Sequence, residues 1–267
     1  MKIAFIGAGN MATAIIKSII SSGRISGENI YVYDKFADKT EALSYLGIVK
    51  CFSLSDACNN ADYILLAVKP QDYEQLLTDI KDCTNKVSEK TFISIAAAIS
   101  CTYIASTLGC DCPVIRVMPN TPLLLGVGAT AISRNSFVSD KSYSKICTIF
   151  ASSGTVCSLD ESLMNKVISV NSSSPVYLYM LAKSMIDKAV EYGLSEKNAF
   201  ELVCQTLKGS VEMLSKSGYS VDDLIKMVAS PGGTTLAAIN SLNNSGFASA
   251  VSSAMDACTF RADELSK

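Results

Sequence analysis

Apolar and polar positions alternate in two different rhythms along this chain, and the change of rhythm divides it. Up to about residue 158, short apolar runs of strand length alternate with amphipathic stretches of helical period. The runs at 2–6, 30–33, 61–68, 91–96 and 113–118 predict strands, and the patterns near 10–22, 37–46, 71–80 and 100–108 predict helices. A strand near 127–133, a helix near 140–152 and a short strand near 155–158 complete this part. Such alternation predicts a mostly parallel sheet with helices on both faces. From Asp160 onward the pattern contains no convincing strand. It reads as helices over 161–170, 175–192, 196–216, 220–229, 235–244 and 247–265, with Gly193, Gly218 and Gly246 at helix ends. The expected fold is therefore an α/β domain over 1–160, followed by an all-helical domain over 161–267.

The first strand runs into Gly7-Ala8-Gly9-Asn10-Met11-Ala12, a Gly-x-Gly-x-x-Ala turn that opens a helix. Gly7 permits a tight turn, Gly9 presents no side chain to a pyrophosphate, and Ala12 lets helix and strand approach closely. The free N–H groups and positive dipole end of the helix suit phosphates. The bland alternative is a tight glycine turn in some other α/β domain. At the end of the second strand, Asp34 is placed to accept from a ribose 2′-hydroxyl, which favours NAD. Its neighbour Lys35 would meet a 2′-phosphate as a point charge, which favours NADP. The pair leaves the choice open, as does the simpler reading of a charged turn.

Three further segments carry candidate chemistry. Val68-Lys69-Pro70 follows a strand, where open α/β sheets bind ligands, or else is a surface lysine before a helix. Ser94-Ile95-Ala96-Ala97-Ala98 is small enough to admit a flat nicotinamide ring, or simply packs tightly. Arg116-Val117-Met118-Pro119-Asn120-Thr121-Pro122 makes a rigid loop presenting amide and hydroxyl groups, or a proline-rich turn. In the helical part, Ser230-Pro231-Gly232-Gly233-Thr234-Thr235 exposes backbone N–H groups ahead of a helix and forms a good carboxylate cradle, unless Thr234 merely caps that helix.

Composition narrows the chemistry. The 267 residues contain no histidine, which removes Ser-His-Asp triads, Cys-His pairs and imidazole acid–base catalysis. A cofactor must then carry the hard step. The ten cysteines are scattered, with one Cys-x-Cys pair and no partner motif, and read as reduced structural thiols of a cytoplasmic protein rather than metal ligands. A net charge of −2 without a basic cluster gives no footprint for nucleic acid or an anionic membrane. No run approaches the ~20 apolar residues of a membrane span. The first strand begins at the N-terminus, so no signal peptide is expected. Apolar residues make up 49% and charged residues only 18%, which predicts apolar surface buried between subunits.

Taken together and in this order, the segments at 5–12, 67–70, 116–122 and 230–235 resemble pyrroline-5-carboxylate reductases. Gln205-Thr206-Leu207-Lys208-Gly209 resembles that family's Gln-x-x-x-Gly helix, and the likeness covers essentially the whole chain. The resemblance implies hydride transfer from NADPH, with NADH as the alternative donor, to the C=N carbon of 1-pyrroline-5-carboxylate, giving L-proline. It implies that Thr235 meets the ring nitrogen, that Ser230, Gly232, Gly233 and Thr234 hold the carboxylate with Asn120 near the substrate, and that Gly7, Ala8, Gly9, Asn10, Met11, Asp34, Lys35, Val68, Lys69 and Ala97 line the cofactor. It also implies a Rossmann-type dinucleotide-binding domain over 1–160 and a helical substrate and dimerisation domain over 161–267, in interlocked homodimers stacked in larger assemblies such as a decamer, in which the substrate loop serves a neighbouring subunit. The chain departs from the family pattern in four places. Asn171-Ser172-Ser173-Ser174-Pro175-Val176-Tyr177 stands for Ser-Gly-Ser-Gly-Pro-Ala-Tyr, Lys183 for an acidic residue, Ala98 for a glycine, and Asp34-Lys35 for Asn-Arg. These departures keep two alternatives in view: a reductase of a related cyclic imine, and a non-catalytic nucleotide-binding paralogue.

Overall fold

The computed structural model describes residues 1–84 and 86–266. Eight strands form one sheet: β1 (Ile3–Ile6), β2 (Ile30–Tyr33), β3 (Val49–Lys50), β4 (Tyr63–Leu66), β5 (Thr91–Ser94), β6 (Val114–Met118), β7 (Gly128–Arg134) and β8 (Gly154–Ser158). Their order is β3-β2-β1-β4-β5-β6-β7-β8, and among the described residues only the β6–β7 pairing is antiparallel. The chain turns back on its own order between β1 and β4, so the crevice beyond their carboxyl ends is the expected ligand position. Strands β1, β4, β5 and β6 are buried at every residue, which explains why they read as continuous apolar runs rather than as alternating ones.

The helices are α1 (Asn10–Ser21), α2 (Ala37–Glu41), α3 (Leu54–Asn60), α4 (Tyr73–Cys83), α5 (Cys101–Leu108), α6 (Asp140–Ala151), α7 (Pro175–Glu191), α8 (Glu196–Lys216), α9 (Val221–Val228), α10 (Thr234–Asn244) and α11 (Phe247–Glu264). One sheet face is covered through Ile15, Ile16 and Ile19 of α1 and Ile146, Ile149 and Phe150 of α6. The other is covered through Ala57 and Cys58 of α3, Tyr73, Leu77 and Ile80 of α4, and Ile104 of α5. Burying each of these Ile, Leu and Phe side chains contributes about 1.5–3 kcal/mol of transfer free energy.

Four elements differ from expectation. The apolar periodicity gives no sign of β3 or α3. Strand β3 is only two residues long, too short to show a period, whereas Ser53, whose hydroxyl accepts the N–H of Asp56, is a capping signal visible before α3. The helix predicted over 37–46 breaks into α2 and a 3₁₀ turn at Ser44–Leu46. The helix predicted over 161–170 is instead a 3₁₀ turn, Glu161–Leu163, and a π turn, Ile168–Ser172.

The chain packs as two compact units, Met1–Ser173 with Cys258–Lys267, and Ser174–Ala257. This division falls later than the 160/161 boundary expected from the pattern change. The reason lies in a third apolar cluster of the first unit, where Met164 and Ile168 pack with Met118, Ala131 and Ala262. Residues 161–173 and the end of α11 thus belong to the sheet by packing. In the second unit α7 and α8 lie side by side. Large apolar side chains there stand in the open, among them Met180 (66% exposed), Leu202 (60%) and Val228 (65%).

Candidate active site

The carboxyl ends of β1, β2, β4, β5 and β6 lie along one edge of the sheet, and every cofactor candidate named from sequence is carried on or just beyond that edge. Gly7 has φ +103°, and a Cβ there would meet the carbonyl oxygen of Ala67 at 2.7 Å, so this position requires glycine twice over. Gly9 is the N-cap of α1, no side chain caps that helix, and a Cβ on Gly9 would point into open space. Asn10 is exposed and Met11 half-buried at the same helix start. An uncapped helix start faced by empty space fits a pyrophosphate.

Beyond β4, Val68 is half-buried and packs within reach of Gly7, while Lys69 is exposed and precedes the short turn begun by Pro70. Beyond β5, Ala97 is half-buried. Its neighbour Ala98 has φ +63°, the one positive value for a non-glycine among the described residues. Beneath this segment Ser94 is fully buried and bonded to Tyr73 Oη at 2.8 Å, and the same phenol donates to the Leu66 carbonyl at 3.0 Å. Burial pushes the Tyr73 hydroxyl well above its ordinary range, so it remains a neutral donor.

Asp34 is not arranged as the sequence predicts. Its Oδ2 accepts the Ala8 N–H at 2.8 Å and its Oδ1 the Phe36 N–H at 2.9 Å, with Lys39 Nζ 3.7 Å from Oδ2. Its side chain is only 8% exposed. Lys35 is exposed, its ammonium 5.4 Å from the centre of the Phe36 ring. Both residues line a hollow of about 200 Å³ with Tyr33, Lys50 and Phe52.

Asn120 also corrects an expectation. It is buried, its Oδ1 accepts from Ala129 N–H at 2.9 Å, and its Nδ2 donates to the Asn171 carbonyl at 3.1 Å. Both ends of its amide serve the scaffold, because β7 and the π turn Ile168–Ser172 each leave a backbone group that a side chain of this length satisfies.

The sequence reading did not assign a role to Arg116. It is buried within β6, donates to Asn165 Oδ1 at 3.0 Å and pairs with Glu161 at 3.5 Å. Glu161 in turn accepts the Cys101 N–H, at the start of α5, at 2.6 Å. An arginine inside an apolar strand run was a visible signal, since such a charge requires an acidic or polar partner.

In the second unit, Ala229–Gly233 joins α9 to α10. Gly232 has φ +73°, and Gly233, not Thr234, is the N-cap, with no side chain capping the helix. A Cβ on Gly233 would lie 2.5 Å from Ser230 Oγ, so the turn brings Ser230 against the helix start. Thr234 is exposed and Thr235 half-buried on the first turn. One hydroxylic residue and the uncapped amides of α10 thus share one small surface, suited to a carboxylate.

Comparison with known proteins identifies the family. Residues 161–265 match the family described as pyrroline-5-carboxylate reductase dimerisation, and residues 2–98 match NADP oxidoreductase coenzyme F420-dependent. The pyrroline-5-carboxylate reductase of Escherichia coli (strain K12) is 36% identical over 267 residues, covering 100% of this chain and 98% of that protein. The chain belongs to the pyrroline-5-carboxylate reductase family. The pyrroline-5-carboxylate reductase of Mycobacterium tuberculosis (strain ATCC 25618 / H37Rv) is 32% identical over 285 residues, covering 99% of this chain and 96% of that protein. The crystal structure of Plasmodium falciparum pyrroline carboxylate reductase with NADP bound superposes with a TM-score of 0.90 at 30% identity, covering 100% of this chain and 98% of that one. For a reductase of this family the absence of histidine is no obstacle, since a protonated imine is already electrophilic.

Proposed function

We infer that this chain is an NAD(P)H-dependent oxidoreductase that reduces the C=N bond of 1-pyrroline-5-carboxylate to give L-proline, the last step of proline biosynthesis. The observation that carries this reading is full-length membership of the reductase family combined with an intact Ser230–Thr235 turn at an uncapped helix start. The reduced nicotinamide supplies the hydride. The Gly7–Met11 turn and the start of α1 hold the pyrophosphate, Val68, Lys69 and Ala97 flank the nucleotide, and Lys35 meets the 2′-phosphate of NADPH. NADPH is the preferred donor, with NADH accepted. The amides of Gly232 and Thr234 hold the substrate carboxylate beside Ser230, while the Gly233 N–H closes the turn on the Ser230 carbonyl at 3.0 Å. The Thr235 hydroxyl meets the ring nitrogen and donates to the lone pair that forms there as hydride addition to carbon turns the protonated imine into an amine.

The protein works as a homo-oligomer, an interlocked dimer that assembles further into a decamer, in the cytoplasm. Open apolar side chains on α7–α9 support the dimer. No helix among the described residues is long and apolar enough to cross a membrane.

The deciding assay mixes purified protein with pyrroline-5-carboxylate and either reduced cofactor, following loss of the cofactor's absorbance and formation of proline. Turnover establishes the reading. Cofactor binding without turnover would assign the chain to non-catalytic paralogues, and turnover only with another cyclic imine would move the substrate.

A further inference from the structure

The acid at the end of β2 stands where a ribose ligand is expected, yet its carboxylate is already engaged. Both oxygens of Asp34 accept backbone N–H groups, from Ala8 at 2.8 Å and from Phe36 at 2.9 Å. Ala8 lies between the two glycines of the phosphate turn, and Phe36 begins the segment that leads into α2. The side chain is nine-tenths buried, and Lys39 stands 3.7 Å from Oδ2. Charge-assisted bonds of this kind are short and stronger than neutral ones. The Ala8 N–H is buried, so without Asp34 it would lose its partner.

We propose that Asp34 is a positioning residue that ties the Gly7–Gly9 phosphate turn to the end of β2, rather than the group that chooses between NADH and NADPH. Two consequences separate this role from ribose recognition. A clamp acts on the pyrophosphate turn, which both cofactors share, so its loss weakens both equally. A ribose ligand acts on the one place where they differ, so its loss weakens NADH and relieves NADPH. Lys39 also offsets the Asp34 charge beside the hollow that Lys35 opens onto, which lets a carboxylate remain close to a site for a phosphate.

This inference rests on the reductase reading, and binding experiments keep the two apart. Dissociation constants of NADPH and NADH are measured by titration calorimetry for the wild-type protein, Asp34→Ala and Asp34→Asn. The Ala variant should weaken both cofactors by about ten-fold, with the NADPH-to-NADH ratio unchanged within about two-fold. The Asn variant should fall between, because its carbonyl can accept one N–H while its own NH₂ opposes the other. A gain for NADPH with a loss for NADH would overturn the proposal, as would two unchanged affinities. A wild-type protein that binds neither cofactor would instead defeat the reductase reading. Amide hydrogen exchange at Ala8 in the unliganded wild type gives a measurement independent of either variant's folding. Protection at Ala8 is expected, and exchange at the rate of an open loop amide would defeat the clamp.

Discussion

Asn120 and Asn171 brace one another across the end of the sheet. The Asn120 side chain donates to the Asn171 carbonyl at 3.1 Å, and the Asn171 side chain donates to the carbonyls of Met118 at 2.8 Å and Ala129 at 3.0 Å. The brace holds the π turn Ile168–Ser172 against β6 and β7. Asn171 is one of the chain's departures from the family pattern, so a residue that reads as an altered substrate wall turns its amide N–H groups inward. Asn120→Ala should leave the half-buried Ala129 N–H without its side-chain partner and lower stability by about 1 kcal/mol. Urea unfolding of the two proteins measures this, and a difference below a few tenths would place a water in the gap.

Ala98 holds φ +63° while almost fully buried. An L-residue in that region costs about 1–2 kcal/mol, and glycine returns part of the gain through about 0.4–1 kcal/mol of unfolded-chain entropy. Ala98→Gly should therefore stabilise the protein slightly, by less than about 1 kcal/mol, seen as a higher urea midpoint with an unchanged slope. A lower midpoint would mean that the methyl group packs usefully.

Burial pushes the thiols of Cys51, Cys58 and Cys112 up to about 12 from an ordinary 9.0. Between these values the unfolded chain has released protons that the native protein retains. Raising the pH through this window therefore favours unfolding, so the stability these thiols contribute is intact below about pH 9 and is lost on the way to 12. Urea midpoints from pH 7 to 11 should fall only at the alkaline end, and Cys58→Ala should flatten that fall.

Thr235→Ala should lower kcat/KM by about ten- to a hundred-fold, the scale of ~1.4–2.7 kcal/mol for one well-placed polar contact. Cofactor affinity should hardly change, and Thr235→Ser should retain much of the activity. Full activity in the alanine variant would leave Thr235 with a helix-initiating role alone.

The open apolar residues of the second unit call for a partner. Sedimentation at micromolar concentration should give a dimer or larger, and Met180→Asp should shift it toward smaller species. An active monomer would contradict this.

The legible parts of the fold were those whose period is long enough to count. Strands β1, β4, β5 and β6 appear as apolar runs because they are buried at every residue, and β3 escapes at two residues. The Gly7 turn was legible because glycine there answers a backbone requirement. Asp34 and Asn120 are recognisable in the sequence as polar residues near strand ends, but their hydrogen-bond partners are not. Residue type gives a hydrogen-bonding capacity, whereas which groups use it depends on backbone amides brought together from 26 and 9 positions away. The Arg116–Glu161–Asn165 network was hidden for the same reason, across separations of 45 and 49.

Ala262, packed with Met118, Met164 and Ile168, gives the order of synthesis a structural meaning. Asn165 likewise donates to Asp263 at 2.9 Å and to Ser266 at 2.6 Å. As the polypeptide leaves the ribosome, the sheet can form early, but the edge around Met164 must wait for about a hundred further residues before its last contacts exist. The nucleotide-binding half is thus the first to begin folding and cannot be the first to finish, and until residue 266 is made it presents an apolar edge for which a chaperone or another nascent chain could compete.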